Sequence, residues 1–145
     1  MIIREIKPED IPSLFDIRIK TWHNSNGAEE MLQMGITHES VIKMMEKTHR
    51  GWLAEVDGDI VGFTIGNQVT GEMWVIAVLN EFENRGIGRS LMQKIEKWLF
   101  DKGADKLWLV TDPNEEFRAV GFYHRLGWQD WKIEQGSRYM IKLKD

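Results

Sequence analysis

Two periods of apolar residues alternate along the chain, and the switches between them mark its elements. Ile2, Ile3 and Ile6 predict a short first strand. Pro8 and Pro12 then punctuate the start of a helix, with Asp10 as its expected N-cap. Ile11, Leu14, Phe15, Arg18, Ile19 and Trp22 follow helical spacing. The turn-forming run at residues 23–27 (HNSNG) ends that helix. Two short helical stretches follow, at residues 28–34 and 39–48, the second with Val41, Ile42, Met44 and Met45 as its apolar face. Strand signals come next: residues 51–56 and 59–67 flank Asp57-Gly58, a strong hairpin signal, and Gly71 opens a third apolar run over residues 72–79. From Gly86 a long pattern sets Ile87, Leu91, Met92, Ile95, Trp98 and Leu99 on one helical face, and Gly103 is its expected stop. Residues 106–111 (KLWLVT) read as a buried strand. Phe117, Val120, Tyr123 and Leu126 recur at helical spacing as far as Gly127, and residues 128–134 and 138–143 read as a closing strand pair. The order is β-α-α-β-β-β-α-β-α-β-β. Strands outnumber crossover helices, which predicts an α/β (α+β) fold with a mixed sheet and helices on both faces.

Composition narrows the function classes. The 145 residues carry no linker, repeat or low-complexity tract, so one domain over residues 1–145 is expected. A hydrophobic share of 42% and a charged share of 29% suit a soluble globular protein. Cysteine is absent, which excludes disulfides, zinc–cysteine and iron–sulfur sites and a cysteine nucleophile, and fits a cytoplasmic location. A net charge of −4 argues against a nucleic-acid partner. The longest apolar run, residues 73–79, is too short to span a bilayer, and no signal-peptide pattern opens the chain, so no membrane partner is expected. His23, His38, His49 and His124 are dispersed without the i, i+4 spacing of metal ligands, so no metal is expected. His124 is expected to face outward. No Gly-x-Ser-x-Gly elbow is present for a serine hydrolase.

Residues 78–90 (VLNEFENRGIGRS) carry the most chemistry. An apolar strand runs into a polar loop, then Gly86-Ile87-Gly88, then an amphipathic helix. Glycine lets a ligand approach the backbone closely, and a helix N-terminus offers free N–H groups and partial positive charge. Together they suit a phosphate or pyrophosphate. Five basic and two acidic residues between Arg85 and Lys102 add local positive charge to an acidic chain. Read alone, Gly-x-Gly is first a tight strand–helix turn with a solvated basic face and only second an anion site. A dinucleotide fingerprint fails because its third small position is Leu91, and a P-loop fails because Gly88-Arg89-Ser90 only imitates its end.

Residues 78–99 resemble the acyl-CoA-binding motif of the GNAT (GCN5-related) N-acetyltransferases, in which a strand is followed by Arg/Gln-x-x-Gly-x-Gly/Ala at a helix start. Residues 118–128 (RAVGFYHRLGW) resemble the second signature of that family, Ala-x-x-Phe-Tyr-x-x-x-Gly-Phe/Trp. The strand between the motifs, the closing strand pair, residues 2–10 and the Asp57-Gly58 hairpin match as well, so the resemblance covers nearly the whole chain. Three departures stand out: Glu83 occupies the Arg/Gln position, Asn80 stands where proline is frequent, and Glu116 replaces a frequent asparagine, with Asn114 nearby.

The resemblance implies a mixed, mostly antiparallel central sheet and an N-acetyltransferase that moves acetyl from acetyl-CoA directly to a primary amine, without a metal. It places the cosubstrate on Ile76, Ala77 and Val78 of the third apolar run, on Glu83, Asn84, Arg85, Gly86, Ile87, Gly88, Arg89 and Ser90, and on Asn114, Phe122 and Tyr123. The backbone N–H of Val78 is the implied oxyanion donor, of a kind worth about 3 kcal/mol in acyl transfer. Glu72 is the candidate base for deprotonating the amine, with a strand-edge surface charge as the alternative. Tyr123 aligns with the tyrosine that serves the departing thiolate; on spacing alone it reads as a core residue. Trp22, His23 and Trp74 are the candidate acceptor-pocket wall, although His23 also reads as a loop residue and most tryptophans simply pack. Trp98 and Trp108 are expected in the core. The acceptor is a small-molecule or peptide amine, and the acidic chain tilts toward a cationic one. The family pattern also admits a homodimer. Two other classes compete: a non-catalytic acyl-CoA sensor or partner module, which Tyr123 argues against, and a nucleotide-binding protein of another fold.

Overall fold

A computed structural model describes residues 1–21, 27–111 and 118–144, with the side chain of Arg118 excepted. Trp22, His23 and Asn114 lie outside the described residues. The strands are β1 (Ile2–Glu5), β2 (His49–Val56), β3 (Asp59–Asn67), β4 (Glu72–Val78), β5 (Lys106–Thr111), β6 (Gln129–Glu134) and β7 (Ser137–Leu143). They form one sheet in the order β1-β2-β3-β4-β5-β7-β6. Every neighbouring pair is antiparallel except β4 and β5. The sheet is therefore mixed and mostly antiparallel, as the sequence predicts.

The helices are α1 (Ile11–Lys20), α2 (Gly27–Gln33), α3 (His38–Lys47), α4 (Ile87–Asp101) and α5 (Arg118–Arg125). All three helical stretches read from the sequence between β1 and β2 form among the described residues, one more than the predicted order counts. The reason is local: Gly35 turns the chain at φ 78°, and Thr37 then opens a new helix with a reciprocal cap. Asp10 does not cap α1. Its carboxylate accepts the Lys7 N–H at 2.7 Å and two bonds from the Arg4 guanidinium at 2.9 Å, closing a short 3-10 turn ahead of the helix. Those Arg4 bonds hold the Asp10 carboxyl below the usual carboxylate range.

Two cores lie on opposite faces of the sheet. Ile11, Leu14 and Ile17 of α1 and Val41 of α3 pack on Leu53, Phe63, Ile65 and Ala77. On the other face Met92, Ile95 and Leu99 of α4 pack with Leu107, Leu109, Tyr123, Trp128 and Met140. Ile95 is fully enclosed, and truncating such a side chain to alanine costs about 2–5 kcal/mol. In α1 the buried stripe runs through Ile17, and Ile19 is exposed. Trp98 and Trp108 are only half-buried; Trp108 donates its Nε1–H to the Thr70 carbonyl at 3.0 Å and stacks on Tyr139. Trp128 is the tryptophan the core encloses. No described helix is long and apolar enough to cross a membrane.

Candidate active site

The sheet opens between its two halves. Among the described residues β4 and β5 share a single register pair, Glu72 with Trp108, while β3 follows β4 along its length. The Trp108 N–H reaches the Gly71 carbonyl at 3.2 Å, and beyond that point the strands part. A bulge in β4 marks the divergence. Ile65 pairs with Val75 and Gly66 with Met73, so Trp74 is the extra residue. Such an insertion bends the strand and adds twist. It also sets Trp74 and Val75 on the same side, packed against the α1–α3 core, while Ile76 and Val78 pack on the α4 side.

The backbone of β4 follows from one bond. The Leu79 N–H donates to the Val61 carbonyl at 2.9 Å. In an antiparallel ladder the direction of backbone groups alternates, so Ala77 faces β3 and its neighbours Ile76 and Val78 turn their N–H and C=O groups to the opening. Of the three strand residues the sequence nominates, these two present polar backbone to a ligand there.

The opening ends at the start of α4. A 3-10 turn (Asn80–Phe82) leads to Asn84 and Gly86, at φ 65° and 82°. Ser90 donates to the Gly86 carbonyl at 3.0 Å and begins the helical ladder. The N–H groups of Gly86, Ile87, Gly88 and Arg89 precede that ladder and have no intrahelical acceptor. Gly86 supplies no side-chain cap, and the first turn holds no acidic residue. Two nominated backbone donors are already engaged: the Ser90 N–H within the helix, and the Glu83 N–H, which donates to the Asn80 carbonyl at 3.3 Å. Arg85 lies over the Phe82 ring at 4.9 Å. Gly88 is small for a reason beyond ligand approach: a Cβ there would stand 3.1 Å from Phe122 Cζ. Phe122 thus packs α5 onto the first turn of α4. Beside that turn Arg89, Arg125 and Lys142 line a cavity of about 300 Å³.

Tyr123 comes from α5 and is 7% exposed. Burial pushes its phenol up to about 12, and the positive charge of Arg18 acts in the opposite direction. Glu72 stands at the closed end of β4, and alternation puts it on the side that Trp74 faces. Burial raises its carboxyl above the usual range. Trp74 is half-buried and meets His49 edge-on, with ring centroids 5.5 Å apart. Burial lowers the His49 imidazole, whose Nδ1 lies 2.6 Å from the Thr48 hydroxyl. Sequence reasoning passed over both Arg18 and His49. Arg18 was visible as a cation inside the apolar stripe of α1; nothing in the pattern around His49 distinguishes it.

With the strand opening, the uncapped helix and Tyr123 in place, comparison with known proteins becomes decisive. The model of the Acetyltransferase (GNAT) family matches residues 11–128. The chain belongs to that family. Solved structures similar to this GNAT chain share its fold at low identity. The PaiA N-acetyltransferase of Thermoplasma acidophilum, solved in complex with coenzyme A, is 18% identical with a TM-score of 0.85, covering 99% of this chain and 100% of its own. The ribosomal-protein-S18-alanine N-acetyltransferase of Escherichia coli is 18% identical with a TM-score of 0.76, over 98% and 92% of the two chains. The ribosomal-protein-alanine N-acetyltransferase of Brucella melitensis is 14% identical with a TM-score of 0.76, over 99% and 100%. The GNAT fold therefore extends over the whole described chain.

Proposed function

We propose that this chain transfers acetyl from acetyl-CoA to a primary amine. The observation that carries the reading is the meeting, at the C-terminal end of β4, of two outward-facing strand residues and an uncapped helix N-terminus. Free N–H groups and a helix dipole suit a pyrophosphate. A strand edge without a partner suits the amide-bearing pantetheine arm. Arg89 and Arg125 supply positive charge beside the same helix for the 3′-phosphate end of the molecule.

In this reading the amine arrives from the α1–α3 side, along Glu72 and Trp74. It attacks in its neutral form, because an ammonium has no lone pair. Glu72, directly or through water, takes the proton; burial brings its affinity for protons closer to that task. The C–N bond forms as the C–S bond breaks, and the Val78 N–H receives the negative charge on the carbonyl oxygen. Tyr123 hydrogen-bonds the departing sulfur. Burial makes the phenol a weaker acid than a thiol, so full proton transfer to the thiolate would run uphill. Tyr123 therefore acts as a hydrogen-bond donor to thiolate, and solvent completes the protonation.

Thermal unfolding with acetyl-CoA, CoA, NAD and ATP tests the cosubstrate. Ligand at about a hundred times its Kd adds about 2.7 kcal/mol, a shift of several degrees. A shift with acetyl-CoA and CoA alone supports the reading, and no shift at millimolar acetyl-CoA overturns it. Thiol release with a panel of amines tests turnover; binding without release for any amine favours a sensor module. Glu72→Gln is expected to lower kcat and abolish the acidic limb of its pH profile. In the unaltered enzyme that limb lies above the ordinary glutamate value of about 4.3, because only the deprotonated carboxylate accepts the amine proton.

A further inference from the structure

The acyl-transfer reading uses Glu72 and Trp74 at the closed end of β4 and gives no task to the imidazole beside them. In the ladders His49 stands opposite Asn67, and Asn67 opposite Glu72. Residues directly opposite share a face of the sheet. Leu53 of β2 and Ile65 of β3 lie in the α1–α3 core, so alternation puts this row on the α1–α3 side, where Trp74 packs. The middle member of the row is turned to its own loop: Asn67 Oδ1 accepts the N–H groups of Val69 and Thr70 at 2.9 and 3.3 Å. The bulge in β4 makes the link instead. It brings Trp74 against His49, with the ring planes 74° apart and the centroids at 5.5 Å. His49 also lines a cavity of about 120 Å³ that Ile11, Ile42 and Met45 share with the carboxylates of Glu5 and Glu46. The ring therefore has two surroundings. The indole suits it neutral, and the carboxylates suit it charged.

We infer that His49 is a positioning residue of the amine site: its neutral ring holds the Trp74 indole beside Glu72 as the wall for a cationic amine, and protonation of His49 withdraws that wall. This rests on the reading proposed above. The acceptor arrives as an ammonium, against the π face of Trp74 and the Glu72 carboxylate, to which it gives its proton before attack. His49 takes no proton from it. A proton taken from solvent instead sets an imidazolium against the same indole, where it competes for the ring and repels the ammonium. Burial keeps the midpoint of His49 below the ordinary 6.5, so the wall stands at neutral pH and is lost in acid. The other polar groups around the ring are engaged or exposed. The Thr48 hydroxyl bonds Nδ1 at 2.6 Å. On β2 Arg50 is exposed and pairs with Glu5, the nearer bond being to the guanidinium Nε and the second, from Nη2, at 2.8 Å. From α3 come Glu46 and Lys47, and ahead of α1 comes Lys7, all three exposed. Gln68 of the loop after β3 donates its Nε2 to the Lys47 carbonyl at 3.4 Å.

The coupling is measurable without activity. Labelling with 5-fluorotryptophan gives a ¹⁹F signal for each of the seven tryptophans, and Trp74→Phe assigns the one that matters. Its shift is expected to titrate at a midpoint below 6.5, together with the His49 Cε1 proton that His49→Phe removes from the ¹H spectrum. His49→Phe keeps a flat ring without a titrating nitrogen and flattens the Trp74 titration; His49→Ala displaces the signal at every pH. With n-butylamine as the probe, affinity read from the Trp74 signal is expected to fall about fivefold from pH 7 to pH 5, and to lose that dependence in His49→Phe. The dependence persists in Glu72→Gln, which separates it from titration of that carboxylate. In turnover it enters KM for the amine and not kcat, while the Kd for CoA holds within about twofold. A Trp74 signal that ignores pH or n-butylamine, or a titration that survives His49→Phe, overturns the inference and leaves the acyl-transfer reading to its own thiol-release test. A Trp74 titration that follows His49 in a protein that releases no thiol with any amine supports the coupling and overturns the acyl-transfer reading instead.

Discussion

Helices α3 and α4 each leave four N–H groups at the start that the helix itself cannot satisfy. At α3 the chain supplies the partners. Thr37 Oγ1 accepts the Ser40 N–H at 3.1 Å, Ser40 Oγ accepts the Thr37 N–H at 2.9 Å, and Glu39 sits in the first turn. At α4 no side-chain cap is present among the described residues: the N-cap is Gly86, the first turn carries Arg89, and no carboxylate stands in that turn. One helix end is closed by its own side chains, the other is kept electropositive. In the proposed reading, the difference separates stability at α3 from binding at α4. Uncapped N–H groups give up roughly 1 kcal/mol of helix stability, and an anionic ligand recovers it with interest.

That contrast can be broken directly. Arg89→Glu puts a carboxylate at the third position of α4, within reach of the Gly86 N–H as in a capping box. Acetyl-CoA affinity is expected to fall about a hundredfold by calorimetry, the charge now competing with phosphate for the same donors. Unliganded Tm should hold or rise, by about 0.3–1 kcal/mol in stability. A variant that binds normally would show that the helix start is not the phosphate site. Gly86→Ala sharpens the comparison more gently. Nothing lies within 4 Å of the added Cβ, so the cost is the left-handed backbone alone, about 1–2 kcal/mol. Denaturant unfolding should register that loss, with a smaller loss in affinity for CoA. Thr37→Ala is the smallest and the mirror image. Stability should drop about 1 kcal/mol, Tm should fall a few degrees, and CoA affinity should not change.

Most of the fold was legible because its signals are local. Asp57-Gly58 fixes one hairpin, the period of Ile87, Leu91, Ile95 and Leu99 fixes α4, and the bounds of β3 and β5 coincide with the apolar runs. The parts that were not legible depend on partners distant in sequence. Asp10 reads as a cap for α1 until Arg4 and Lys7 are seen to hold it. Trp108 reads as core because its strand is apolar, yet it alternates with Leu107 and Leu109, which pack in the α4 core, and is only half-buried. Gly88 reads as room for a ligand, and only the position of Phe122 shows that α5 also needs its smallness. For the site, the glycine motif marks the start of α4, but not which N–H groups remain available: the ladder claims Ser90 and the 3-10 turn claims Glu83.

The single β4–β5 pair has a kinetic meaning as well. On one side of it β1 pairs with β2, β2 with β3 and β3 with β4, the last two joined by short turns; on the other, β5, β7 and β6 pair among themselves. Within the two sets the β2–β3–β4 and β6–β7 pairings close over short turns, the kind of pairing that forms early in folding. The junction offers little pairing of its own to bring the two together, so α4, which touches strands on both sides, has to act as the clasp. The chain can thus assemble as two small sheets that find their register last, along the line where a cosubstrate would later lie.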